Sequence, residues 1–257
     1  GVFASELLDS VPVPDLSVCG LAWTAEAVQD VLHLRCLRRL HVNSIQNGDT
    51  CAFADDVFSL TDTPLSHVLE SLVLDGLASR GFQAVSLGAC SRLATVELAS
   101  VPCPDDVLAN LGNCTALRRV AVTTARGIVV VPFSDAALIG IANAGRTLED
   151  LRVRVASGVV SGPFTAASAE MLAASCVRLH SLQLCTRIHG APFADPGFTR
   201  PLGRIASLRR LGLHSSKVAL GPLAEELAKP TSAPLLALSV VSRSGYASNV
   251  VEPLASA

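Results

Sequence analysis

One pattern of apolar positions recurs along the chain: apolar, two others, apolar, one other, apolar. It reads Leu37-Arg38-Arg39-Leu40-His41-Val42, then Leu69-Glu70-Ser71-Leu72-Val73-Leu74. It returns at Leu93, Val96 and Leu98, at Leu117, Val120 and Val122, and at Leu148, Leu151 and Val153. Further copies are Leu179, Leu182 and Leu184, then Leu208, Leu211 and Leu213, and a looser one at Leu235, Leu238 and Val240. The eight copies begin 32, 24, 24, 31, 31, 29 and 27 residues apart. The fourth and sixth positions alternate, which predicts a short strand with one buried face. The first position enters the same core from the turn before. A period of this length predicts a solenoid, in which each unit buries its apolar side only against its neighbours.

Helical spacing precedes most copies: Val107, Leu108 and Leu111; Leu138, Ile139 and Ile141; Met171 and Leu172. Helix starts are marked by Pro104-Asp105-Asp106, by Ser134-Asp135 and by Thr165 with Glu170 beyond it. Ser, Thr and Asp accept hydrogen bonds from the open amides of a first helical turn. Each unit is therefore expected to run strand, loop, helix, loop.

From about residue 34 to 240 the chain resembles the leucine-rich repeat family. Leu172-Ala-Ala-Ser-Cys176-Val-Arg-Leu179-His-Ser-Leu182-Gln-Leu184 is similar to the cysteine-containing class, as are Cys114-Thr-Ala-Leu117 and Cys90-Ser-Arg-Leu93. The repeat lengths also sit near the ribonuclease-inhibitor-like class. The resemblance implies an α/β horseshoe of about eight repeats, with parallel strands on the concave face and helices on the convex face. Two departures stand out. Leu34, Ser66, Gly145, Ile205 and Ser232 occupy the place of the helix-end cysteine in the other copies. The ninth position, usually Asn or Cys in the family, holds Ile45, Leu77, Val101, Ala125, Ala156, Arg187 and Ser216. Residues 1–34 are expected to form an N-terminal capping segment, with Trp23, Ala27, Val28, Val31 and Leu32 at helical spacing. Residues 35–242 form the repeats. Residues 243–257 form a tail or partial cap, with Val250, Val251 and Leu254 folded over the last repeat.

Composition narrows the function classes. Half of the 257 residues are apolar, enough for one large core. The formal charge of −2, with no basic run and few aromatics, argues against nucleic acid as a partner. A membrane surface would call for a basic amphipathic helix, which is absent from the pattern. The eight cysteines contain no Cys-x-x-Cys, and three recur at the apolar helix-end position. They read as small buried side chains, which predicts a reducing, intracellular and most simply cytoplasmic setting. The chain opens on Gly1, which leaves a processed or longer parent chain open.

Chemistry-bearing motifs are few. The phosphate-binding, dinucleotide-binding, serine-elbow and zinc-protease motifs are missing. His180, Cys185 and His189 could ligate a soft metal, but the spacing puts His180 before a strand and His189 after it. No enzyme activity, metal or cofactor is expected. The third and fifth positions of each copy face away from the core, with the seventh near the same rim. They offer Arg39, His41, Glu97, Arg119, Asp150, Arg152, Arg154, Gln183, Arg210 and His214 as candidate contacts for a protein partner. The expected role is a non-catalytic protein-binding scaffold or adaptor within a multi-subunit assembly. The resemblance also implies two alternatives: a substrate adaptor of a ubiquitin ligase, whose F-box would lie outside this chain, and an activator of small GTPases.

Overall fold

The strands stack in the order in which the chain makes them. A computed structural model describes residues 13–19, 30–43, 60, 62–76, 87–101, 105–124, 133–155, 164–186, 193–230, 232, 235–242 and 250–251. Nine strands run parallel in one sheet: β1 (Asp15–Cys19), β2 (Arg39–Asn43), β3 (Ser71–Asp75), β4 (Thr95–Ala99), β5 (Arg119–Thr124), β6 (Asp150–Val155), β7 (Ser181–Thr186), β8 (Arg210–Ser215) and β9 (Ala237–Ser242). β10 (Val250–Val251) closes the last edge antiparallel to β9. The helices are α1 (Asp105–Asn110), α2 (Asp135–Asn143), α3 (Ala166–Ser175), α4 (Pro196–Leu202) and α5 (Leu220–Leu227). This is an α/β leucine-rich repeat solenoid.

Register follows the phrase. Leu40 stands opposite Leu72, then come Val96, Val120, Leu151, Leu182, Leu211 and Leu238, one per strand. The first-position leucines from Leu37 to Leu179 are fully buried. Backbone bonding at strand entry is equally regular. The carbonyls of Pro14, Arg38, Glu70, Ala94, Arg118, Glu149, His180 and Arg209 each accept two amide N–H groups from the next repeat. This satisfies the backbone where each strand leaves its turn.

The sheet begins one strand earlier than the eight copies predict. Val13-Pro14-Asp15-Leu16-Ser17-Val18 is a ninth copy, with valine at its head, and β1 pairs in register with β2. Residues 1–34 therefore contain a repeat strand rather than a cap alone. Residues 30–32 are helical, with Val31 and Leu32 buried, while Trp23, Ala27 and Val28 lie outside the described residues. Leu254 does as well; Val250 and Val251 form the closing strand.

Helix content varies from repeat to repeat. Among the described residues, the 24-residue step between the copies at Leu69 and Leu93 holds the 3-10 turn Leu87–Ala89, and the equal step from Leu93 to Leu117 holds α1. The 31-residue steps hold α2 and α3, nine and ten residues long. Ser134 and Thr165 cap these helices by accepting from the amides of Ala136 and Ala167. Between repeats, the Asp105 carboxylate accepts from the Ser134 N–H and hydroxyl, and Asp135 does the same for Thr165. An aspartate at the head of one helix thus ties down the cap of the next. Phe164, Phe193 and Phe198 stack with ring centroids 5.5–5.7 Å apart, and Phe133 meets Phe164 edge-on at 5.9 Å. All four rings are buried, and they run the core through the C-terminal half.

The helix-end column is buried at Leu34, Ser66, Cys90, Cys114, Gly145, Cys176 and Ile205, and partly buried at Ser232. The Cys114 thiol donates to the Leu87 carbonyl at 3.2 Å. Gly145 breaks the cysteine pattern because a Cβ there would lie 2.9 Å from the Cys176 sulfur and 2.5 Å from the Ala142 carbonyl. Turns after β3 and β4 use the left-handed residues Gly76 and Ser100, whose amides donate to Ala99 and Thr123 in the next repeat.

Candidate functional site

Register brings part of the expected concave strip into one network. Glu97 on β4, Arg119 on β5, and Asp150 and Arg152 on β6 form it. The Arg119 guanidinium lies 3.7 Å from Glu97 and 3.5 Å from Asp150. Arg152 grips Asp150 with two atoms, Nε on Oδ1 at 3.0 Å and Nη2 on Oδ2 at 2.7 Å. The Asp150 side chain is only 11% exposed, while Arg119 and Arg152 are about half exposed. Asp150 is therefore a positioning group beneath two arginines, not an open contact as its place in the phrase suggests. Its neighbour Ser181 is also buried and lacks a hydrogen-bond partner among the described residues.

Around this centre the floor is low. Ala99 and Ala121 leave gaps, and Gln183 lies over Gly212, whose missing Cβ would sit 3.4 Å from Gln183 Cγ. The exposed Arg210 has no ion pair among the described residues. The seventh positions of β6, β7 and β8 make a second row: Arg154, Cys185 and His214. His214 shares a hydrogen bond with Ser239 at 3.0 Å. Burial, and then the charge of Arg154, lower its pKa from the ordinary 6.5. Arg39 and His41 lie on β2, two strands before Glu97. Arg39 pairs with Asp15 at 3.5 Å, so these two residues stand apart from the centre.

His180 lies just before β7 and Cys185 near its far end, about 16 Å apart at 3.3 Å per residue, and His189 lies outside the described residues. Among the described residues no cluster of three or more His, Cys, Asp or Glu side chains could hold a metal. Nor is any helix among them long and apolar enough to cross a membrane.

The eighth position carries information the phrase did not. Val155, Thr186 and Ser215 form a buried column at the strand ends, and the Thr186 and Ser215 hydroxyls lack partners among the described residues. The phenylalanine stack escaped the pattern as well. Its signal was there: Pro-Phe recurs at 132–133, 163–164 and 192–193.

The fold and this face define a leucine-rich repeat solenoid with an arginine-bearing concave sheet. Among solved structures the chain is similar to internalin C2 from Listeria monocytogenes, at 17% identity, with a TM-score of 0.42 over 81% of this chain and 83% of that one. It is also similar to the internalin InlF from the same organism, at 16% identity, with a TM-score of 0.27 over 95% and 77%. No family model and no curated protein matches the chain. At these scores the solenoid assignment rests on the sheet itself.

Proposed function

We propose that this protein is a non-catalytic protein-binding scaffold, holding its partner against the concave face of β4–β8 as one subunit of a larger cytoplasmic assembly. The observation that carries this reading is the Asp150 clamp. A guanidinium has five donors in a flat fork, and Asp150 engages two of those on Arg152. Arg152 stays about half exposed in this grip, so a partner's carboxylate or carbonyl meets an arginine that loses little freedom on binding. Ala99, Ala121 and Gly212 leave room for the partner's backbone beside it.

The test is a double reversal, Arg152→Glu with Arg154→Glu, assayed against the partner that a pull-down recovers. A well-desolvated arginine contributes about 2 kcal/mol of affinity, so a loss of at least about tenfold is expected, with circular dichroism unchanged. A folded double variant that binds as tightly as wild type would remove the concave face from the proposal.

A further inference from the structure

Arginine also collects where the strands begin. In the turns that feed the sheet, Arg35, Arg92, Arg146 and Arg178 are all exposed, and none has a carboxylate partner among the described residues. The row just inside them contains Arg38, Glu70, Arg118, Glu149, His180 and Arg209, stacked by the bifurcated carbonyl ladder. Two of its arginines are only loosely held, Arg38 by Glu70 at 3.5 Å and Arg118 by Glu149 at 3.9 Å, with the arginines more than 60% exposed. The opposite rim is mixed: Asp75 ends β3 and Asp105, Asp135 and Asp195 head α1, α2 and α4, but Arg154 and Lys217 are exposed there too.

The basic rim also contains a recess. Pro14, Arg35, Cys36, Arg38, Val68 and Arg92 line a pocket of about 380 Å³ that crosses three repeats. Three guanidinium-bearing side chains share it with apolar walls from Pro14 and Val68. An acidic side chain fits this chemistry, its methylenes on the walls and its carboxylate among the guanidinium groups. From Arg35 to Arg178 the rim passes five strand intervals, about 24 Å at 4.8 Å each, which is the length of about seven residues of extended chain.

We propose that the strand-entry rim is a second binding site, whose ligand is a carboxylate-rich protein segment with one acidic side chain seated between Arg35, Arg38 and Arg92. A nucleic acid suits it less well. Glu70 and Glu149 interrupt the positive row; a peptide can set its acidic side chains at the arginines and neutral ones beside these glutamates, whereas a phosphate backbone carries charge at every step. The described rim residues include no Phe, Tyr or Trp on which a base could stack. The rim is separate from the concave centre, so either site can fail without the other.

The probe is a fluorescein-labelled (Glu-Ala)6 peptide, read by anisotropy on the whole chain, with (Gln-Ala)6 and a single-stranded DNA 12-mer as comparisons. Saturable binding to the acidic peptide is expected, weakening as NaCl rises from about 50 to about 200 mM. Arg35→Glu with Arg92→Glu should weaken it about tenfold or more, while Arg152→Glu with Arg154→Glu leaves it within about twofold. If the reversals disturb the circular dichroism, Arg35→Gln with Arg92→Gln gives the same reading without introducing negative charge. No saturable binding, equal binding in a folded rim variant, loss only in the concave variant, or tighter rim-dependent binding of the DNA would each overturn the proposal.

Discussion

Cys90 and Cys176 hold their thiols where burial pushes the pKa up to about 12, and Cys114 is pushed to about 11 for the same reason. Thiolate is the reactive form, so none of the three should react with a thiol reagent in the native protein at neutral pH, whereas the exposed Cys19 and Cys36 should react at once. Rapid native labelling at Cys90, Cys114 or Cys176 would contradict this. Their serine variants should differ. Cys114→Ser keeps a carbonyl partner at Leu87, while Cys176→Ser buries a hydroxyl with none among the described residues and should cost about 1–3 kcal/mol in urea unfolding. His214 carries a pH dependence. Its folded pKa lies below 6.5, so the unfolded chain binds its proton first as pH falls. The contribution to stability is therefore complete above about pH 6.5 and is lost as pH drops through the folded value. His214→Gln should flatten that acid limb of the stability curve, and an unchanged limb would refute the assignment. The outward place of Arg119 and Arg152 was legible from alternation alone. Burial of Asp150 was not, because it depends on which side chain the next strand sets beside it.

Strands could be read from sequence because two constraints coincide: period-2 alternation and a leucine three residues ahead of it. β1 escaped because valine heads its copy, though the 24-residue step to Leu37 fits the series. Helices were legible where apolar residues three and four apart follow an Asp, Ser or Thr start, as at α1, α2 and α3. What joins one helix to the next was not, since the Asp105–Ser134 and Asp135–Thr165 pairs lie about one repeat apart in sequence. Asp135→Ala removes two bonds to the head of α3 and should cost about 1–2 kcal/mol, with amide exchange rising first at residues 165–169. Phe164→Ala is the harsher change. It leaves a hole among three buried rings and should cost about 3–5 kcal/mol by the same unfolding assay. A cost below about 1 kcal/mol would mean that the stack does not carry the core there.

Across the whole molecule, each repeat is supported by the one before and the one after. Leu182→Ala, in the middle of β7, should cost about 2–5 kcal/mol, and hydrogen exchange should show β6 and β8 losing protection before β2 and β3. Uniform loss along the chain would contradict a stack coupled through nearest neighbours. The run of helices in the C-terminal half has a mechanical consequence. A helix is about 10 Å wide, whereas strands repeat every 4.8 Å or so, so helices on the outside force a stack to bend. From α2 to α5 the outer layer is thick, braced by aromatic rings and aspartate ties, and it forms a stiff arch. A load applied across the concave face at these repeats is therefore borne by the arch, which spreads it through the ring stack and the aspartate ties rather than leaving it on a single strand.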